Sequence, residues 1–109
     1  MPLQWHEVVE GVSALPHVQS GEHDGARTLS VGDQVFARDD TESMIVLSSP
    51  YERDVMLRSG DPAVGLGPTI DGQEFVRVWY EEAEMDAEIL ELVGEGWRIA
   101  ERIEGLEPT

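Results

Sequence analysis

The side chains best suited to acid, base or metal chemistry fall into two kinds of cluster. His17 and His23, with Glu22 and Asp24 between and beside them, bring imidazoles and carboxylates together in the run HVQSGEHDGA. These are metal-ligating residue types, but their spacing fits no zinc pattern, and the run (residues 17 to 26) reads as a solvated loop, so no metal site is assigned. His6 falls on a charged helical face and reads as exposed. Asp39, Asp40 and Glu42 crowd a turn, and Glu81, Glu82, Glu84, Asp86 and Glu88 lead into the last helix. Paired carboxylates catalyse proton transfer only where burial or a neighbour separates their protonation. In a turn and at a helix start they read as solvated charges favoured by exposed amides, and they follow no EF-hand pattern.

Signatures of catalysis are missing. Gly65-Leu66-Gly67 lacks the further glycine and the helix of a dinucleotide loop, no Gly-Lys-Ser occurs, and Ser48 and Ser49 form no arrangement with histidine. With no Cys in the chain, disulfides, thiolate zinc sites and cysteine nucleophiles are excluded. The sequence predicts a protein that is not an enzyme and carries no cofactor.

Charge narrows the partners. Of 109 residues, 23 are Asp or Glu against seven Arg and no Lys, for a net charge of −16. A partner reached through bulk electrostatics is then cationic or meets a locally non-acidic patch. Residues 1 to 10 include Glu7 and Glu10 and lack a basic stretch followed by an apolar one, and no run is long and apolar enough for a membrane span. A cytoplasmic address without membrane contact is the expectation. Length and a 40% apolar share predict a single folded domain over residues 1–109.

The elements that must position these side chains follow from periodicity. Trp5, Val8, Val9 and Val12 recur at helical spacing and Leu15-Pro16 closes the segment. Gly32-Asp33 joins two short strands, residues 27–31 and 34–38, into a hairpin, and residues 44–48 form a third strand. Ser49-Pro50-Tyr51-Glu52 is a capping box that starts a second helix, which Gly60-Asp61-Pro62 stops. Residues 63–70, broken by glycines and Pro68, read as an edge strand, and residues 74–80 as a strong strand after Asp71-Gly72. Asp86 caps a last helix running to Ile103, in which Gly94 and Gly96 are expected to allow close packing; the tail from Glu104 is expected to fray. The order α-β-β-β-α-β-β-α predicts an α+β two-layer sandwich, an antiparallel five-stranded sheet with its helices on one side.

These segments resemble the YjbR/MmcQ-like family. The resemblance runs through Ala14-Leu15-Pro16, the stretch TLSVGDQVFAR from Thr28 to Arg38, the helix from Pro50 to Leu57, GPTIDG before Phe75-Val76-Arg77-Val78, and Trp97-Arg98-Ile99-Ala100. It implies a small domain similar to the secretion-chaperone-like fold, and a DNA-binding role through a double-wing motif. Many relatives carry a basic residue just after the first hairpin turn, where this chain has Gln34.

Strand alternation supplies the binding expectation. If Leu29, Val31, Phe36, Val76 and Val78 face the helices, then Phe75, Arg77 and Trp79 point away beside Thr28, Ser30, Val35 and Ala37. That open face, with two aromatics and an arginine over small side chains, has the composition of a contact surface. A non-catalytic binding or adaptor domain is therefore expected, its occupant a protein, a small molecule or a second copy in a homodimer. The alternative is nucleic-acid binding through Arg27, Arg38 and Arg77, disfavoured by net charge because phosphate contacts need clustered cations. A third reading has the acidic surface meeting a basic partner.

Overall fold

Local signals set the ends of most elements in the computed structural model, which describes residues 2–106. The Ser49 hydroxyl accepts the Glu52 amide at 3.2 Å and starts α2 (Pro50–Arg58). Asp86 does the same for the Ile89 amide at 2.9 Å and starts α3 (Ala87–Ile103). The first helix, α1, spans Trp5–Val12, and its Glu7 carboxylate reaches back to the Gln4 amide. Each bond satisfies an amide that helix geometry leaves without a partner.

Six strands accompany them: β1 (Val18–His23), β2 (Ala26–Val31), β3 (Gln34–Asp39), β4 (Ser43–Leu47), β5 (Val64–Ile70) and β6 (Gln73–Trp79). They form one antiparallel sheet in the order β1-β2-β3-β4-β6-β5, so the fold is α+β with three helices. The expected five-stranded sheet is thus corrected to six. The run read as a loop forms β1, which pairs with β2 from Val18 opposite Val31 to His23 opposite Ala26. Apart from half-buried Val18 its side chains are exposed, and backbone pairing rather than burial holds it.

A bulge corrects the expected facing. Gly32-Asp33 makes the turn with Val31 opposite Gln34, but Leu29 then pairs with Ala37, leaving Phe36 without a partner. Ala37 therefore joins Leu29, Val46 and Val76 in one row, on the face that α3 covers, and not the open face. One inserted residue reverses the parity of everything beyond it.

α3 sits hard against that face. A methyl group at Gly96 would stand 2.9 Å from the Leu47 carbonyl oxygen and 3.2 Å from Val46 Cγ1. Gly94 has nothing within 4 Å of the same position, so close packing accounts for one of the two glycines only. The tail is also more ordered than expected at its start, where the Glu104 carboxylate accepts the Asp33 amide of the hairpin turn. Residues 107–109 lie outside the described residues. Among those described, no helix is long and apolar enough to cross a membrane.

Candidate functional site

The face away from α3 is built from rows that cross the sheet. Gly21, Thr28, Arg38, Ile45, Arg77 and Gly65 occupy one row, one residue from each strand. Ser30 and Val35 lie in a neighbouring row, with Leu47 opposite Phe75 and Ser43 opposite Trp79 further along. Phe75, Arg77 and Trp79 thus share this face as expected.

The face is concave. A cavity of about 500 Å³ is lined both by Gln19 of β1 and by Ile70 of β5, the two edge strands. Five strand spacings separate them, about 24 Å if the sheet were flat, so the sheet must curl to bring both onto one small cavity. Bulges between Leu29 and Ser30 and between Leu66 and Thr69 supply local bending on both sides. Every lining residue belongs to a strand or to a turn between strands, and none to a helix. Val35 and Ile70 provide apolar walls over a floor closed by Ile45 and Phe75; Thr28, Ser30, Gln34 and Arg38 provide hydroxyl, amide and guanidinium groups, and Glu22, Asp33 and Asp71 add carboxylates.

Curvature corrects the role expected of Phe75. It is only 2% exposed, closed in beside the fully buried Ile45 and Leu47, and forms floor rather than a projecting anchor. Trp79, 40% exposed, lies outside the cavity towards Tyr80 and Glu81.

The arginines are bound to carboxylates. Arg38 donates to Asp40 at 2.8 and 3.3 Å; Arg77 donates to the same carboxylate at 3.3 Å and to the Ser43 hydroxyl at 2.8 Å. Two guanidiniums thus share one carboxylate, and Arg77 also lies 5.7 Å from the centre of a Trp79 ring. Arg27 does not converge with them. Its row parity puts it on the helix side, where it donates to Asp39 at 3.1 and 2.5 Å. Arg53, Arg58 and Arg98 pair with Glu74, Asp54 and Glu95. No cationic track of the kind phosphate binding needs is left on the sheet.

Asp39 ties the hairpin to the end of β6. Its carboxylate accepts the Tyr80 hydroxyl at 2.8 Å and the Thr41 amide at 3.1 Å, besides Arg27. Burial alone would push its carboxyl up, but the bonds from Arg27, Tyr80 and Thr41, with the Arg27 charge, outweigh burial and hold it below the ordinary value. Burial and the Asp39 hydrogen bond push the Tyr80 phenol up. A lowered carboxyl stabilises the fold fully above its unfolded value, near pH 4, and that contribution is lost as pH falls through the lower folded value. Asp39→Asn is expected to cost about 1–2 kcal/mol at neutral pH. Urea midpoints across pH check this: the gap to the parent protein should close below about pH 4, and a gap constant with pH would count against it.

Sequence reasoning missed one partnership at the other end of the sheet. His17 Nδ1 lies 3.1 Å from Glu101 Oε2, and Glu101 is buried in α3. The Trp97 indole, one turn earlier, donates to the Pro16 carbonyl at 2.8 Å. The signal was present in the helical stripe: Glu101 follows Val93 and Trp97 at i+8 and i+4, a carboxylate on a core-facing line that calls for a partner. Among the described residues, no group of three or more His, Asp or Glu is placed to hold a metal ion.

Fold and site together define an α+β protein with a curved antiparallel sheet, backed by helices on one face and open in a strand-lined cleft on the other. No protein-family model, curated protein or solved structure matches the chain.

Proposed function

We propose that this protein is a non-catalytic binding domain that takes its ligand in the concave strand face, and that it is of the YjbR/MmcQ-like kind. The motif order quoted above and the run of elements from β2 onward support the family reading. The observation that carries the binding reading is the cavity itself, about 500 Å³ within the usual range for ligand pockets, with apolar walls and a few directed polar groups. An apolar body would rest on Val35 and Ile70, above the floor that Ile45 and Phe75 close. A neutral polar end would meet Gln34 and the hydroxyls of Thr28 and Ser30, since Arg38 is paired with Asp40 and Glu22, Asp33 and Asp71 also line the cavity. Nucleic acid fits less well, because Arg38 and Arg77 already share Asp40 and Arg27 stands on the other face.

A fragment library screened by amide NMR tests the reading. Hits should perturb Thr28, Ser30, Val35 and Arg38 together, and Ser30→Trp, which fills the cavity from a half-buried position, should abolish them while leaving the other amides in place. Hits that cluster elsewhere, or that persist in Ser30→Trp, would overturn it.

A further inference from the structure

The second helix is anchored on one side and bare on the other. None of its residues is buried, and Tyr51 is 78% and Val55 48% exposed. The two are four residues apart, so they form one apolar stripe along the helix. Beside that stripe a groove of about 230 Å³ runs between α2 and α3, floored by Met56 of α2 and Leu92 of α3. Its rim is acidic: Glu52 on one side, and Glu88, Glu91 and Glu95 on the other.

The neighbouring cations neutralise only Glu95 of this rim. Arg53 faces Glu74, Arg58 faces Asp54, and Arg98 holds Glu95 at 2.7 Å. No ion pair among the described residues reaches Glu52, Glu88 or Glu91. Burial pushes the Glu52 carboxyl up, Glu95 and Glu91 push it further, and Arg98 opposes them. Negative charge is thus crowded here beside apolar surface that no part of the described chain covers.

We infer that the α2–α3 groove docks a basic amphipathic segment of a partner protein, its apolar side chains on Tyr51 and Val55 and its lysines or arginines along the glutamate rim. Charge complementarity selects this occupant. A second copy of the chain would bring a net charge of −16 against the same glutamates, and a nucleic acid would bring phosphates. The apolar stripe separates this from diffuse attraction to an acidic surface, since it demands side chains at helical spacing. The groove lies on the helix side, so the inference stands apart from the cleft reading.

The test titrates the full chain with a fluorescent synthetic peptide whose leucines recur at helical spacing and whose other positions are lysine, read by anisotropy. Removing the stripe with Tyr51→Ala and Val55→Ala should weaken binding about tenfold or more, and both residues are exposed enough for the fold to survive. Glu52→Gln with Glu91→Gln should weaken it about fivefold. Glu81→Gln with Glu82→Gln removes equal charge away from the groove and should change it less than about twofold. Any of four results overturns the inference: no binding, equal loss from the two charge pairs, no loss on removing the stripe, or equal binding of a peptide with glutamate in place of lysine.

Discussion

Alanine at Gly96 is expected to destabilise the protein by about 1–2 kcal/mol and valine there by about 3 kcal/mol, while alanine at Gly94 is expected to stabilise it by up to about 1 kcal/mol. Both glycines lie inside α3, where alanine gains helix propensity of similar size at either position. They differ in what a methyl group would meet. At Gly94 there is open space; at Gly96 the Leu47 carbonyl oxygen stands at 2.9 Å and the Phe36 carbonyl oxygen at 3.4 Å. Backbone atoms of two strands cannot rotate aside as a side-chain tip can, so the whole helix must lift. Valine adds two more methyl groups to the same gap with little propensity gain. Thermal midpoints check this, at about 4–8 °C per kcal/mol for a domain of this size. Equal gains at both positions would mean that α3 is not seated on the strand backbone. The consequence reaches the cleft, because Leu47 pairs with Phe75 and Phe36 follows Val35, and both Phe75 and Val35 line the cavity on the far side.

How much of this was legible in the sequence depends on whether a signal was local. Ser49, Asp86 and Gly32-Asp33 act within a few residues, and helix starts and hairpin appear where the sequence puts them. The missing strand, β1, had one local cue. Asp24-Gly25 carries φ of 52° and 82°, the left-handed pair of a two-residue hairpin turn, as Asp71-Gly72 does with 51° and 79°. The second was readable because apolar residues flank it; the first follows QSGEH, which has no alternation to mark a face.

The candidate site was legible in membership and not in shape. Alternation in residues 74–80 placed Phe75, Arg77 and Trp79 on one face correctly, since parity within a strand is fixed by the pleat. Parity across the hairpin was not fixed, because the bulge at Phe36 depends on how β2 and β3 settle over the core. Curvature is less local still. It buries Phe75 and gathers Gln19 and Ile70 from opposite edges, a consequence of the whole sheet that no short window encodes. Nor could spacing reveal that Asp40 binds Arg38 and Arg77 at once, the contact that offsets half the charge of a supposed cationic wing.

The partnership of His17 with Glu101 leads to the second large effect. His17→Ala is expected to cost about 2–3 kcal/mol, and adding Glu101→Met to that variant is expected to recover most of the loss. Glu101 is 3% exposed, and its carboxylate has His17 as the partner at 3.1 Å. A buried carboxylate stripped of its partner keeps its desolvation cost and loses the compensating hydrogen bond. His17 is half-exposed, so water can partly replace it, which places the cost below the 3–5 kcal/mol typical of fully buried pairs. Backbone geometry adds to the case. His17 holds φ of 66°, a left-handed conformation unfavourable for a residue with a Cβ, and contacts from α3 fix it there. With Trp97 bonded to the Pro16 carbonyl, the two contacts clamp the α1–β1 connection onto α3 and so set where the edge strand begins. Methionine at position 101 removes the charge and keeps the length, so the single Glu101→Met variant should cost less than His17→Ala. Urea unfolding of the two single variants and the double variant decides it: additive losses would mean that histidine and glutamate stabilise the fold independently, and the clamp would then rest on Trp97 alone.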